Sequence, residues 1–187
     1  ANLGITRQTV WVRLTAVNQL DPQLLRERGA RHWFLDLGST TLGDVQLHHY
    51  VEGTLRHSDR SGFLMPFENR SVPDRHMAFP IELGPGQNDF YLRIRSDAMV
   101  TLSPVLVSEA AYATFSRTRS FLAGIIYGVL VIMLLYNALV YCLVRESLFL
   151  AYSIALGALL FVHLALSGIG FQYLWPSRPE LNIDLIR

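Results

Sequence analysis

Across 187 residues the chain is 51 % hydrophobic and 17 % charged, with a net charge of +1 at neutral pH. That balance gives no electrostatic ground for nucleic-acid binding, and the apolar average is too high for an ordinary soluble domain. All sixteen basic residues are arginine, and the single cysteine, Cys142, lies late in an apolar run, so residues 1–107 can hold no disulfide.

Residues 9–107 alternate between apolar and polar side chains with a period of two, broken by turn residues, which is the pattern of a half-buried antiparallel sheet. The pattern predicts strands over Thr9–Val17, Arg31–Leu37, Asp44–Val51, His76–Leu83, Asp89–Arg95 and Val100–Val107. Gly62–Phe67 reads as an edge piece in which Pro66 restricts pairing to one side. Turns are expected at Asp21-Pro22, Gly38-Ser39, Asp59–Gly62 and Gly84-Pro85-Gly86. Several strands and no long amphipathic helix predict an all-β jelly roll or sandwich over residues 1–107.

The periodicity changes at Ser108, a good N-cap followed by Glu109 and by the helix formers Ala110, Ala111 and Ala113. A helical stalk over 108–120 is expected to run unbroken into the first apolar run, Phe121–Leu143. A second run covers Leu148–Ile169. Each has just over twenty residues and none of Asp, Glu, Lys or Arg, enough at about 1.5 Å per residue to cross a hydrocarbon core of about 30 Å. Only Val144–Ser147 joins the two runs, so they form an antiparallel transmembrane hairpin, with the lipid bilayer as a partner. Arg145 on one side and Arg117 and Arg119 on the other leave the orientation undecided by charge. Gly124 and Gly128 form a GxxxG pair suited to close helix packing, and Asn137 needs a polar partner at depth. Gly168 and Gly170 end the second span, Tyr173 and Trp175 suit the interface, and residues 170–187 read as a loop leading to the start of a third helix.

Alternation also sorts residues by face. Phe90, Leu92 and Ile94 read as core, which puts Tyr91, Arg93 and Arg95 on the opposite face; Val10, Val12 and Leu14 likewise leave Trp11 and Arg13 outward. Indole, phenol and guanidinium groups on one sheet face suit sugars or carboxylated ligands, because aromatic rings give flat apolar surface and arginine gives a bidentate fork. The candidate ligand residues are Trp11, Arg13, Trp33, Tyr91, Arg93 and Arg95, although the strand of Trp33 is apolar on both faces. The competing reading has Trp11 beneath a loop and the arginines paired with Asp36, Glu82 or Asp97. His48, His49 and His76 invite a metal, but adjacent strand residues face opposite ways, so no metal site is expected. No nucleotide, zinc-protease or CxxC signature is present, so no cofactor is expected. Nothing pairs Asp36, Asp44 or Glu52 as a sugar-processing enzyme requires. A protein-interaction or dimerisation module is the other alternative.

Certain segments, in order, resemble a known family. They are Val10-Trp11-Val12-Arg13-Leu14, His32-Trp33-Phe34-Leu35, Val45-Gln46-Leu47 and Phe90-Tyr91-Leu92-Arg93-Ile94-Arg95-Ser96 in the head. Gly124-Ile125-Ile126-Tyr127-Gly128, Leu135-Tyr136-Asn137 and Arg145-Glu146-Ser147-Leu148-Phe149-Leu150-Ala151-Tyr152 follow. The series resembles the bacterial seven-transmembrane receptors with diverse intracellular signalling modules (7TMR-DISM), whose second type of extracellular domain is a jelly roll similar to carbohydrate-binding modules. The resemblance implies a non-enzymatic periplasmic sensor on an inner-membrane bundle, with the Arg145 turn in the cytoplasm. It further implies an output such as a diguanylate cyclase or histidine kinase, and that the chain is a fragment of a longer receptor.

Overall fold

A computed structural model describes residues 2–5, 8–19, 32–96 and 99–182. Its strands are β1 (Asn2–Ile5), β2 (Val10–Asn18), β3 (His32–Asp36), β4 (Asp44–Val51), β5 (Thr54–Ser61), β6 (Ala78–Glu82), β7 (Gly86–Arg95), β8 (Met99–Thr101) and β9 (Val105–Ser108). The helices are α1 (Glu109–Val144), α2 (Ser147–Leu166) and the short α3 (Ile169–Tyr173).

Two antiparallel sheets, ordered β2-β7-β4-β5 and β6-β3-β9, form a sandwich, and β1 pairs separately with β8. The core lies between them. Leu47, Phe90, Leu92 and Ile94 from the larger sheet and Leu35, Phe79 and Ile81 from the smaller one are all nearly inaccessible to solvent. Val12, Leu14 and Ala16 add the inward side of β2. Period-two alternation thus fixes both the core and what faces away from it.

The structure departs from the sequence pattern in the middle of the head. Residues 54–61 form the edge strand β5, although Asp59–Gly62 had the composition of a turn. Most of β5 is exposed and lacks apolar alternation, so only its ladder with β4 reveals it. Gly62–Phe67 is not a strand: its first residues hold Leu42 and Gly43 through Phe63 N–H to Leu42 O and Leu64 N–H to Gly43 O, and it then enters a 3-10 turn. Val100–Val107 is two strands in different sheets, β8 and β9, broken before Val105. The expected turn at Asp21-Pro22 lies outside the described residues.

Ser108 caps α1, its hydroxyl accepting from Ala111 N–H at 3.4 Å. The helix runs for 36 residues, about 54 Å at about 1.5 Å each. Arg145 ends it in a left-handed conformation (φ 61°), its N–H bonding Tyr141 O. Both long helices are long and apolar enough to cross a membrane, and their apolar side chains point outward: Phe121 and Ile132 are 68 % exposed and Leu143 75 %. A surface of that size is stable only in lipid or against other helices. Gly124 and Gly128 do not serve the hairpin, since open space surrounds both, whereas Gly157 of α2 approaches Leu134. Asn137 is satisfied within its own helix by Met133 O at 2.8 Å. α2 stops at Leu166, short of Ile169, because Gly168 (φ 77°) turns the chain back to the head.

Gly62 lies against the backbone of Gly43, and a Cβ there would fall inside contact distance of the Gly43 carbonyl oxygen. Gly62→Ala is therefore expected to lower head stability by about 2 kcal/mol or more, because backbone must move. Gly124→Ala, with nothing nearby, is expected to leave it unchanged. Thermal unfolding of the detergent-purified chain, followed by the β signal in circular dichroism, compares the two.

Candidate ligand face and head–helix junction

The outer face of the larger sheet is built in rows fixed by strand register. One row crosses Trp11, Arg93, Gln46 and Arg60; the next crosses Arg13, Tyr91, His48 and Ser58; a third crosses Thr15, Asp89, Tyr50 and Leu55. Five of the six residues expected to contact ligand, Trp11, Arg13, Tyr91, Arg93 and Arg95, therefore share this face. Trp33 does not. It pairs with Ile81 across β3 and β6 and packs against the core, because Leu35 and Ile81 set the inward phase of that sheet. The width of the sandwich separates it from the others.

Within the rows, polar groups hold the aromatics in place. Arg13 donates to Asp89 through Nε and Nη2 at 3.3 and 3.1 Å, Thr15 donates to the same carboxylate at 2.6 Å, and Gln87 donates to its other oxygen at 2.9 Å. The Thr15 hydroxyl above all, with Gln87 and Arg13, holds Asp89 below the usual carboxylate range against the opposing effect of burial. The Arg13 guanidinium lies 5.5 Å from the centre of the Tyr91 ring, and Tyr50 meets that ring edge-on at 5.6 Å. Trp11, in contrast, is 59 % exposed. Arg60 forks Asp44 at 2.8 and 3.1 Å.

A concavity of about 520 Å³ opens on this face, lined by Trp11, His48, Tyr50, Gly53, Asp89 and Tyr91. Gly53 lies in the two-residue turn between β4 and β5, where Glu52 (φ 48°) and Gly53 (φ 79°) are both left-handed, the type I′ geometry that matches strand twist. His48 faces the concavity and meets Ser58 Oγ through Nδ1 at 3.0 Å. His49 points inward, stacked on Phe90 at 4.6 Å and bonded to Asn88 at 3.0 Å, and burial lowers its pKa. The sequence reading missed His48, Tyr50 and Asp89 as lining residues, yet Val45, Leu47 and Val51 already imply that Gln46, His48 and Tyr50 face outward. Among the described residues no three His, Cys, Asp or Glu side chains are placed to hold a metal ion. The carboxylates Asp44 and Asp89 are both in ion pairs, and Asp89 is shifted away from the raised pKa that a glycosidase acid needs. The face is chemically equipped to bind, by stacking and hydrogen bonding.

The opposite side of the sandwich meets the membrane helices. Tyr112, Ser116 and Arg119 share one face of α1 by their i, i+4, i+7 spacing. Tyr112 stacks on Phe34 at 4.7 Å, in a cluster with Val72, Ala78 and Val107. Ser116 donates to Asp74 at 2.5 Å, and Arg119 donates to Asp36, only 3 % exposed, at 2.7 Å. Arg75 donates to Arg119 O at 2.9 Å. The loop after α2 docks beside these groups, with Phe171 edge-on to Phe63 and Phe67, each at 5.5 Å. Arg70 lies 4.9 Å from the centre of Phe67 and 5.4 Å from that of Phe171 while donating to Asp74 O and Arg75 O. Burial lowers Arg70 to about 10, with Asp74 opposing, so it stays charged at neutral pH.

A β-sandwich head followed by a hairpin of two helices long and apolar enough to cross a membrane is the architecture of a membrane protein with a folded head. The chain belongs to the 7TMR-DISM receptor family: residues 1–108 match the family described as 7TMR-DISM extracellular 2, and residues 119–187 match that described as 7TM diverse intracellular signalling. Both are receptor families, not catalytic ones. No curated protein matches the chain.

Two outcomes test the junction. Arg119→Met leaves the buried Asp36 carboxylate without its cation, with the Gly38 N–H still donating to it, and is expected to destabilise the head by about 3 kcal/mol, most of it recovered in the Asp36→Asn, Arg119→Met double variant; chemical unfolding of the four proteins gives the coupling. His76 lies in the same cluster. Burial first, then the charge of Arg119 and that of Arg75, lower its pKa from the ordinary 6.5, against Asp36 and Asp74. The unfolded chain takes up that proton at 6.5 and the folded junction only lower. The neutral ring therefore contributes its full stability above about pH 6.5 and loses it as pH falls through the folded value. Asp74 is also lowered: burial pushes it up, but the Ser116 hydroxyl and the His76 amide outweigh that, and its contribution is lost only below 3.8. The unfolding midpoint is expected to drop between about pH 7 and 5, with His76→Gln removing part of that drop and the buried His49, whose pKa is also lowered, keeping the rest.

Proposed function

We propose that the chain is the sensing part of a bacterial inner-membrane receptor, with its head in the periplasm and the Arg145 turn in the cytoplasm. The head binds carbohydrate on the outer face of the larger sheet. Binding is relayed through α1 to the helical bundle and on to a cytoplasmic output such as a diguanylate cyclase or histidine kinase. The observation that carries the reading is the concavity of about 520 Å³ lined by Trp11, Tyr50, Tyr91, His48 and Asp89. Its one widely exposed indole, beside a saturated Arg–Asp pair, is the combination that grips a sugar ring by its face and its hydroxyls. The relay is supported by α1, which carries Tyr112 in the head interface and continues without interruption to Val144.

The detergent-purified chain, applied to a glycan array, is expected to bind a restricted set of glycans. Trp11→Ala is expected to weaken that binding about tenfold or more, about 1.4 kcal/mol, with the unfolding midpoint unchanged because the ring is outside the core. No glycan binding, together with dimerisation of the head that depends on this face, would transfer the site to the protein-interaction reading.

A further inference from the structure

Among the described residues, the charges on this face do not cancel. Arg13 is held by Asp89, and Arg60 holds Asp44, the carboxylate in register with Arg95, so both acids are already in ion pairs. Arg93 and Arg95, on the same side of β7, have no ion-pair partner among the described residues. Arg93 is half-buried and stands in register between Trp11 on β2 and Gln46 on β4, two residues along from Tyr91. An arginine with no ion-pair partner among the described residues, in register beside an exposed indole, leaves the face a cation free to meet a ligand. That cation suits an anion, because a planar fork meets a carboxylate with two parallel charge-assisted bonds.

We infer that the face selects acidic glycans, chains of sugars bearing carboxylates such as hexuronates. Trp11 lies under a pyranose ring, Arg93 forks that sugar's carboxylate, and Arg95 supplies a second positive charge one step further along the strand. Gln46, next in the row, offers an amide to the ring hydroxyls. The inference rests on the carbohydrate reading and narrows it to a charge class. Arg13 is not the selecting cation, since its guanidinium is committed to Asp89 and to the Tyr91 ring. A neutral glycan would use the same ring and hydroxyl contacts but leave Arg93 unpaired.

Calorimetric titration of the detergent-purified chain with galacturonate oligomers, with neutral galactose oligomers of the same length, and with a sulfated galactan separates the possibilities. The uronate is expected to bind about tenfold tighter than the neutral oligomer at low salt, with the gap narrowing as salt rises. Arg93→Gln is expected to weaken the uronate about tenfold more than the neutral oligomer and so remove the preference, Arg93→Lys to restore only part of it, and Trp11→Ala to weaken both ligands. Equal affinity for uronate and neutral oligomers, or a preference that survives Arg93→Gln, overturns the acidic-glycan inference and leaves the carbohydrate reading standing. Sulfated galactan binding as tightly as the uronate overturns the assignment to carboxylates. Absence of binding to all three, in wild type and variants alike, overturns both.

Discussion

The docking of the first turns of α1 on the smaller sheet is the constraint on which the rest of the molecule depends. A helix that began at the membrane surface would leave the head on a tether, free to take any orientation. Here the same helix starts inside the head interface, with Tyr112 on Phe34, Ser116 on Asp74 and Arg119 on Asp36, and only then becomes lipid-facing. Neither glycine nor proline occurs between Glu109 and Ser120, so there is no point at which the rod is expected to bend before Gly124. The buried Asp36 makes the contact unforgiving, because a carboxylate removed from water tolerates no loss of its guanidinium.

A second attachment removes the remaining freedom. The chain leaves α2 at Leu166, turns at Gly168 against Thr40 and Arg75, and places Phe171 between Phe63 and Phe67. Phe67 N–H bonds Pro176 O, and Asn182 bridges Trp175 Nε1 and Phe63 O. The head segment from Phe63 to His76 therefore touches the head-side ends of both spans. Displacing that segment moves two helices together, which a single linker would not do.

Much of this was legible from residue order alone. Alternation in β2, β4 and β7 determines which side chains face the core, and hence which share the outer face with Trp11, as well as the sandwich. The cap at Ser108 and the four-residue link at Val144–Ser147 determine the stalk and hairpin. What escaped was whatever depends on tertiary partners. β5 is polar on both sides because it is an edge strand, so periodicity carries no signal there. Residue order puts Trp33 on the ligand face in error because Trp33, Phe34 and Leu35 are all apolar and give no alternation: the inward side meets the core, and the outward side, at Phe34, is covered by Tyr112. The small-residue spacing of Gly124 and Gly128 is real, but spacing does not say which helix approaches, and α2 does not.

The Trp11 face and the helix interface lie on opposite sheets, with Leu35, Leu47, Phe79, Phe90 and Leu92 packed between them. Such a core is as dense as an organic crystal and compresses little. On the proposed reading, occupancy of the Trp11 face is therefore not felt as a soft local adjustment that fades across the head. Either the sandwich shifts as one body, or one sheet slides against the other. The smaller sheet holds α1 through β3 and β9, and β9 runs directly into the helix at Ser108. A change in how the two sheets sit on each other must then appear as a change in the angle at which α1 enters the membrane. On that reading the outer turns of α1 convert binding in the Trp11 concavity into a tilt or rotation of a continuous rod.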